Sequence, residues 1–500
     1  MKKAIIIGSG FAGLSAAAFM AKAGWHVTVL EKHSLPGGRA RKLSEDGFTF
    51  DMGPSWYWMP DVFERFFNIF DKRSSDFFKL IRLDPSYRVY WADQQMDVSA
   101  NYEKLKSQFE STEEGSALRL DKFLKEAEYK YDTGMKKLVF SPSLSIREYL
   151  NWELLKGIFR LDVFGSIKKH IYKFFKHPKL RQLLEFPVLF LGALPENTPA
   201  LYSLMNYADM KLGTWYPEGG MFSIVDALYK VAVSLGVNFV FECEVQKINV
   251  NNGMAISVTG YEKIPGTFKE YPAEAIIGAA DYNFIETRLL EEQYQSYSSR
   301  YWESRKMAPS CLLYYIGLNK KLVGVLHHSL FFDKSFDEHA RDIYVTEEWP
   351  QDPLFYVCTA SITDEQVAPQ GCENLFFLIP VAAGIKGDSS EIREEYFEKI
   401  MTRFENLTGQ EIRNSIILKK TFGPSDFSEE YNAFKGNAYG MANTLLQTAI
   451  LKPSCRSKKI RNLFFTGQLT VPGPGVPPAI ISGEVVAKEL IKSYEKNWQR

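Results

Sequence analysis

A glycine motif near the N-terminus constrains the fold more than any other feature of this sequence. Glycines stand at positions 8, 10 and 13, in the G-x-G-x-x-G spacing that joins a strand to a helix in dinucleotide-binding βαβ units. The apolar residues 4–7 favour a strand before the motif, and the alanine-rich residues 14–23 favour a helix after it. Residues 26–30 favour a second strand. The sequence therefore predicts a βαβ unit of the Rossmann type.

Each glycine of the motif has its own physical task. Gly8 permits the tight turn, Gly10 lets the backbone approach a diphosphate, and Gly13 lets the helix pack closely on the strand. The start of the helix presents free backbone N–H groups to the phosphates. Glu31, at the end of the second strand, is placed to accept hydrogen bonds from ribose hydroxyls. The predicted dinucleotide-binding residues of this unit are Gly8, Gly10, Phe11, Ala12, Gly13, Glu31 and Lys32.

The fingerprint alone does not distinguish FAD from NAD. Residues 35–40 place Gly38 and Arg39 in a second loop shortly after Glu31, where a guanidinium group can reach a phosphate. The alternative for the glycine pair at 37–38 is an ordinary turn. Residues 47–56 add a strand and a further rigid turn. A second loop of this kind favours a larger cofactor with a flavin half.

Together these motifs resemble the FAD-binding N-terminus of the amine-oxidase-like flavoproteins, and within them the bacterial phytoene desaturases. Residues 462–477 resemble the closing motif of the same family, a glycine followed by Pro-Gly-x-Gly-x-Pro before a last helix. Many members have an acidic residue after the equivalent of Gly467, where this chain has Gln468. The resemblance implies FAD as the cofactor and adds these binding residues: Gly38, Arg39, Gly53, Pro54, Ser55, Val245, Gly467, Gln468, Gly475, Val476 and Pro477.

The closing motif also has a physical reading of its own. Glycines in the loop let the backbone pass close to a planar ring, and the proline at 477 or 478 suits the first turn of a helix. The N-terminal end of that helix would favour the negative charge of a reduced flavin. The alternative is a loop that caps a surface helix.

The predicted fold class is α/β, with a Rossmann-type FAD-binding domain interleaved with an α+β substrate domain and a helical membrane-facing region. We expect the FAD-binding domain to be discontinuous and to comprise residues 1–95, 206–290 and 421–500. Residues 96–205 are the expected helical, substrate- or membrane-associating region. Residues 291–420 are the expected substrate domain with a mixed sheet.

The resemblance implies a carotenoid substrate and a phytoene desaturase, which forms double bonds toward lycopene by hydride transfer to flavin N5. Three alternatives stay open: a desaturase of another carotenoid such as a 1-hydroxycarotenoid 3,4-desaturase, an amine oxidase-type flavoenzyme, and a non-enzymatic prenyl-binding escort protein. No aromatic pair can be assigned to an amine cage, and the intact Gly13, Glu31 and Gly38 disfavour an escort protein. The sequence leaves the final electron acceptor open.

One acidic side chain is the candidate catalytic base. The flavin carries the hydride chemistry, so a catalytic triad is not expected, but a proton must also leave the substrate. The family resemblance points to Glu148. The alternative is a capping box, because Ser145 and Glu148 stand in the S-x-x-E spacing. The pair His327-His328 is expected at a strand end.

Charge and apolar patterning bear on partners and location. Lys+Arg and Asp+Glu both number 60, so no global field favours nucleic acid and none is expected as a partner. Residues 151–181 carry eight basic against two acidic side chains, interleaved with aromatic ones. Such a segment can lie in an anionic bilayer interface, or it can be a helix packed on the core with a solvated basic face.

The expected location is the cytoplasmic face of the bacterial membrane, with peripheral lipid contact. No signal peptide is predicted, and no apolar run reaches the roughly 20 residues of a spanning helix. The five cysteines are widely spaced, so we expect reduced core thiols and no metal site.

Overall fold

The computed structural model describes residues 2–149, 165–189, 192–444 and 446–498. The helices in this part of the chain are α1 (Phe11–Lys22), α2 (Pro60–Ile69), α3 (Tyr102–Thr112), α4 (Ser116–Thr133), α5 (Ile167–Phe174), α6 (Pro178–Leu189), α7 (Leu204–Tyr207), α8 (Phe222–Ser234), α9 (Tyr282–Phe284), α10 (Ser299–Glu303), α11 (Phe336–Arg341), α12 (Ser390–Thr408), α13 (Pro424–Tyr431) and α14 (Val476–Trp498).

The strands are β1 (Lys3–Ile7), β2 (His26–Leu30), β3 (Lys42–Glu45), β4 (Phe48–Asp51), β5 (Leu80–Arg82), β6 (Tyr87–Tyr90), β7 (Gln95–Val98), β8 (Trp215–Pro217), β9 (Asn238–Val240), β10 (Cys243–Asn251), β11 (Met254–Glu262), β12 (Thr267–Pro272), β13 (Ala275–Gly278), β14 (Ser310–Leu318), β15 (His328–Phe331), β16 (Phe355–Cys358), β17 (Glu373–Val381), β18 (Ile416–Phe422) and β19 (Leu463–Phe465).

A parallel sheet with the order β19-β13-β1-β2-β9 forms the first layer. Strands β1 and β2 are apolar on both faces and buried beyond their first residue, as parallel strands covered by helices require. Helix α1 follows β1 and packs with α8 and α14 in one apolar cluster. Ser15 in α1 donates to the carbonyl of Ile480 in α14 at 2.7 Å. The predicted βαβ unit is confirmed, and it joins the two ends of the chain.

A mixed sheet forms the second layer, with the order β18-β14-β17-β16-β15-β6-β7 among the described residues. Its pairs are antiparallel except β6 and β15, which run parallel. Alternate residues of β14 point to opposite faces, as in any strand. Leu312, Tyr314 and Ile316 pack in the cluster that contains α12, whereas Cys311 and Leu313 face the other side. That other side is one wall of the candidate site.

The α/β fold class is confirmed, with helices α3 to α7 forming the expected helical region beside the mixed sheet. The domain bounds remain predictions. Strands β6 and β7, at the end of the segment 1–95, pair in the mixed sheet rather than in the parallel sheet. A smaller antiparallel sheet of β10, β11 and β12 extends from the FAD-binding side.

The basic, aromatic segment 151–181 is described only from residue 165 onward, so the earlier part of that prediction lies outside the described residues. In α5 and just after it, Ile167, Ile171 and Phe175 are fully buried in the core. The apolar face of this helix therefore contacts protein, which favours the alternative of a packed helix with a solvated basic face. Among the described helices, none combines the length and apolarity needed to cross a bilayer.

All five cysteines lie within the described residues and none is disulfide-bonded. Four are buried and Cys372 is half-buried, as expected for reduced core thiols.

Candidate functional site

A cavity of about 680 Å³ opens at the carboxyl ends of the parallel strands. Its wall includes the residues that directly follow β1, β2, β13 and β19, beginning with Gly8, Glu31, Ala279 and Thr466. The opposite wall comes from the mixed sheet and from the helical region. Open α/β sheets bind ligands in this crevice beyond the strand ends. The fold thus places the site where the glycine motif predicts it.

Gly13 and Gly10 have different surroundings in the structure. At Gly13 an added Cβ would overlap the Gly8 carbonyl oxygen, so this glycine closes α1 onto the loop and does not line the cavity. At Gly10 the backbone has φ −69°, and the nearest atom to an added Cβ is the Gly37 oxygen at 3.9 Å. Gly10 therefore leaves open space on the cavity side, which fits a close approach by a diphosphate.

Glu31 is held in place by its own neighbours. It is buried, and one carboxylate oxygen accepts from the backbone N–H and the hydroxyl of Ser9 at 2.8 and 2.6 Å. The other oxygen accepts from the backbone N–H of His33 at 3.0 Å. These bonds fix the carboxylate at the end of β2, in the position expected for ribose. The adjacent Lys32 also lines the cavity, but its Nζ donates to the Glu429 carbonyl at 2.8 Å.

Arg39 faces the cavity with few partners for its charge. Its Nη2 donates to the Asn437 carbonyl at 3.3 Å, and its buried Nε has no hydrogen-bond partner among the described residues. Burial lowers the pKa of Arg39, and the nearby charge of Asp281 opposes that shift. A cation with this much unused hydrogen-bonding capacity favours a phosphate ligand. The arrangement fits the diphosphate of FAD.

Gln468 stands where many members of the family that this sequence resembles have an acidic residue. With its amide oxygen turned toward Arg39, it accepts from Nη1 and Nη2 at 3.1 Å each. A neutral amide orients the guanidinium group without cancelling its charge. The substitution therefore leaves the cation available to a ligand.

The other predicted cofactor residues line the same cavity. Helix α14 begins at Val476 against the cavity wall, so the Val476 N–H lies at the site, while Pro477 and Pro478 have no N–H to contribute. Val245 contributes from β10 and Ser55 from the turn after β4. The full set that reaches the cavity is Gly8, Gly10, Phe11, Ala12, Glu31, Lys32, Gly38, Arg39, Gly53, Pro54, Ser55, Val245, Gly467, Gln468, Gly475, Val476 and Pro477.

Glu148 does not line the cavity. Its carboxylate accepts from the backbone N–H groups of Ser143, Leu144 and Ser145 at 2.9, 2.8 and 3.1 Å. The bond back to Ser145 is one half of a capping box, while the Ser145 hydroxyl accepts from Arg147 rather than from Glu148. The geometry favours the capping alternative over a catalytic base. Since Ser143 does line the cavity, Glu148 shapes its rim.

We expect Glu148→Gln to keep most of the wild-type turnover, because an amide oxygen can still accept the backbone bonds. A general base contributes about 10²–10⁴-fold, so a loss of that size in pigment formation per bound flavin would restore Glu148 as the base. Glu148→Ala is the matched variant. It removes every cap bond and is expected to lower the free energy of unfolding by about 0.5–2 kcal/mol, measured by thermal or urea denaturation.

The part of the cavity beyond the cofactor residues has apolar walls that the sequence did not reveal. They come from five separated stretches of chain and include Trp56, Met135, Leu201, Leu313 and Tyr439. A smaller cavity of about 60 Å³ lies behind three shared wall residues, Tyr356, Leu378 and Tyr439. No contiguous motif marks these residues, because they come from loops, helical turns and one strand that meet only in the tertiary fold.

Ser55, Tyr356 and His328 form a row of hydrogen-bonded side chains that passes through the wall shared by the two cavities. Ser55 Oγ and Tyr356 Oη are hydrogen-bonded at 2.8 Å, and Tyr356 Oη and His328 Nδ1 at 2.6 Å. His328 begins β15, as expected, and stacks on Trp56 at 4.1 Å between ring centroids. Burial lowers the pKa of His328 well below its ordinary value. The histidine thus supports Trp56 and Tyr356 from behind the cavity wall, and its burial favours the neutral ring.

His327, His328 and Cys358 bring their potential metal-ligating atoms within 4.8 Å of one another. Residue spacing along the chain does not reveal this cluster, because Cys358 reaches it through the pairing of β16 with β15. His327 Nδ1 is hydrogen-bonded to Thr363 Oγ1 at 2.7 Å, and burial lowers the pKa of His327 to about 3. The cluster lies behind Trp56, outside the residues that line the cavity.

Comparison with known proteins supports FAD as the cofactor. The family described as flavin containing amine oxidoreductase matches residues 11–491. A carotenoid 3,4-desaturase from Haloarcula japonica is 40% identical over 490 residues, 97% of each chain. A zeta-carotene-forming phytoene desaturase from Myxococcus xanthus is 30% identical over 98% of this chain and 94% of that protein.

A solved structure shares the fold at much lower identity. An oxidoreductase from Methanosarcina mazei superposes with a TM-score of 0.63 at 16% identity, covering 97% of this chain and 100% of that one. This likeness supports the architecture alone.

Proposed function

We propose that this chain, which belongs to the flavin-containing amine oxidoreductase family and is an FAD-dependent carotenoid desaturase, forms the 3,4 double bond at one end of a carotenoid. The observation that carries the proposal is the 40% identity, along nearly the whole chain, to the carotenoid 3,4-desaturase of Haloarcula japonica. The identity to the phytoene desaturase of Myxococcus xanthus is 30%.

The cavity geometry supports a terminal bond. A desaturase must hold the reacting bond beside the flavin, so the part of the chain beyond that bond needs space on the far side. The smaller cavity beyond Tyr356, Leu378 and Tyr439 measures about 60 Å³, roughly four to six times the 10–15 Å³ that one water requires. It suits the short end of a carotenoid beyond its 3,4 bond better than the long segment beyond an inner bond.

The reaction removes two hydrogens from neighbouring carbons. Bound FAD would supply the hydride acceptor for one of them; the other would leave as a proton, and the two carbons would become doubly bonded. The residues of this chain hold the polyene and exclude water. Trp56, Leu313 and Leu378 supply apolar walls, and the hydrogen bond between Ser55 and Tyr356 satisfies the Tyr356 hydroxyl, so that this group does not oppose an apolar substrate.

Phytoene desaturation is the second candidate, supported by the relative from Myxococcus xanthus. Expression in cells that accumulate phytoene, and separately in cells that accumulate lycopene or its 1-hydroxy derivative, discriminates the two. We expect phytoene to remain unchanged and the conjugated carotenoids to gain a terminal double bond, read by chromatography and by a red shift in absorption. Conversion of phytoene with the 3,4 bonds left untouched would overturn the proposal in favour of the second candidate.

We also propose that the protein docks peripherally on the cytoplasmic face of the membrane, through an apolar rim at the mouth of the cavity. The rim consists of the exposed side chains Leu144, Ile146, Leu446, Ile450 and Leu451. Its members flank the cavity-lining residues 143 and 448–449 along the chain. The sulfur of Cys455 is 3.7 Å from the Pro142 carbonyl, which brings the two rim segments together. A lipid-soluble substrate could then enter without crossing water.

Replacing four rim residues, Leu144, Ile146, Leu446 and Ile450, by serine is expected to weaken vesicle binding about tenfold or more. Loss of only 1.4 kcal/mol of apolar burial changes a partition coefficient tenfold. Co-sedimentation with vesicles of mixed neutral and anionic lipid measures the effect. The matched control is Ile264→Ser with Phe268→Ser, an exposed apolar pair at another site. A variant with glutamate in place of Lys169, Lys173 and Lys176 tests the alternative. If that variant loses vesicle binding while the rim variant binds normally, the basic helix face is the docking surface.

A further inference from the structure

We propose that Asn443 binds the pyrimidine side of the FAD ring, and that the ammonium of Lys452, which flanks Gly473 and does not itself line the cavity, stabilises the negative charge that the ring gains on reduction. The inference requires FAD in the cavity but does not depend on which carotenoid is the substrate. Neither residue belongs to the predicted cofactor set. Both follow from the arrangement of side chains around the closing loop.

Lys452 is an unusual lysine for a protein interior. Its side chain is 5% exposed, and its Nζ has no hydrogen-bond partner among the described residues. An unpaired buried charge is strongly unfavourable, so such groups pair with a charge of opposite sign or lose their own. Burial lowers the pKa of Lys452 to about 7. In the part of the chain that the structure describes, no acidic side chain is paired with Lys452, which points to an anionic partner from outside the chain.

Asn443 shows the same unused capacity at the same place. It is 3% exposed, lines the cavity, and its Oδ1 has no hydrogen-bond partner among the described residues. An amide offers both a donor and an acceptor, as the alternating carbonyl and N–H groups of a pyrimidine edge require. Two buried polar side chains with unused capacity thus stand side by side.

The closing loop fixes where these two groups point. A Cβ added at Gly473 would lie 3.0 Å from Asn443 Oδ1 and 3.4 Å from Lys452 Cε, so both side chains flank this glycine. Its neighbours Pro472, Pro474 and Gly475 line the cavity. Thr470 Oγ1 donates to the Pro453 carbonyl at 2.7 Å, which anchors the backbone next to Lys452 to the same loop.

Two sources of positive potential converge at this loop. Helix α14 begins at Val476 and directs its positive dipole end toward the cavity, and the Lys452 ammonium lies on the other side of the Pro-Gly-Pro-Gly turn. The pyrimidine half of a flavin carries the negative charge of the reduced ring, whereas the dimethylbenzene half is apolar. The electrostatics therefore select the pyrimidine half for this end of the cavity.

The test is the midpoint potential of the bound FAD in Lys452→Met, which removes the charge and keeps the length. We expect reduced FAD to lose at least about tenfold in binding relative to oxidised FAD, a shift of about 30 mV to more negative potential for a two-electron couple. Lys452→Arg is expected to retain the wild-type potential, and Asn443→Ala to shift it in the same direction by less. Lys459→Met is the control, because it removes an exposed lysine from the same segment.

An unchanged potential in a fully flavinated Lys452→Met protein would overturn the inference. If that variant fails to fold or to hold FAD, the wild-type holoprotein still decides the matter. The absorption spectrum of its reduced flavin at neutral pH is expected to be that of the anion, and a neutral reduced flavin would contradict the proposal. Absence of FAD from the wild-type protein is a different failure, because it removes the cofactor site itself rather than the role of Lys452.

Discussion

Gly10→Ala is expected to give a folded protein that binds FAD about 5- to 150-fold more weakly than the wild type. The backbone of Gly10 has φ −69°, which any residue adopts, and an added Cβ meets no protein atom closer than 3.9 Å. The protein therefore has room for the methyl group, and only a ligand pressed against the Gly10 backbone does not. Overpacking of this kind costs about 1–3 kcal/mol, and each 1.4 kcal/mol changes affinity tenfold.

The measurement is titration of the apoprotein with FAD, followed by flavin fluorescence, together with the thermal midpoint of the apoprotein. Gly13→Ala is the contrasting variant, because its Cβ would overlap the Gly8 carbonyl oxygen and destabilise the fold with or without FAD. If Gly10→Ala binds FAD as tightly as the wild type, the diphosphate does not lie against Gly10.

Arg39→Met is expected to weaken FAD binding about 30- to 4,000-fold. Its guanidinium group faces the cavity with an unpartnered Nε, and its hydrogen-bond partners are neutral oxygens of Asn437 and Gln468. Truncating one partner of a buried charge pair costs about 2–5 kcal/mol. The loss should fall on FAD affinity rather than on protein stability, since burial already disfavours the charge of Arg39 in the absence of an anion.

Arg41→Met is the matched control for Arg39→Met. Arg41 is two residues away but binds Glu430 and Tyr431 at 3.1 and 3.2 Å and does not line the cavity. We expect this variant to bind FAD within a few-fold of the wild type by the same titration. Equal losses in both variants would mean that the basic loop acts through its general charge and not through a contact from Arg39.

Local motifs of the sequence predicted a set of cofactor residues, nearly all of which line one cavity in the structure. The glycines, Glu31 and the closing loop each act next to a strand end or a helix start, so their positions follow from local structure and from the parallel sheet. Gly13 belongs to the fingerprint, but it serves the packing of α1 and does not line the cavity. Membership of the motif therefore does not by itself place a residue at the cavity surface.

The substrate half of the site was beyond sequence reasoning. Met135, Leu313 and Tyr356 reach the cavity from separate segments, and only the tertiary fold brings them together. Amphipathic patterning predicted a helical segment that includes α5. It could not distinguish lipid from a protein core as the environment of Ile167 and Ile171, which the structure buries in protein. Glu148 had two readings of equal chemical sense, and only the observed bonds to three backbone N–H groups favour the cap.

The proposed desaturation is tested most directly by mixing the purified, FAD-loaded protein with its carotenoid in the absence of oxygen. Because the apolar part of the cavity adjoins the residues expected to hold FAD, we predict that the visible absorption band of FAD bleaches as the carotenoid gains double bonds, one double bond for each flavin reduced. A protein that purifies without FAD and does not take it up when folded would contradict the account, as would formation of double bonds while the flavin stays oxidised throughout.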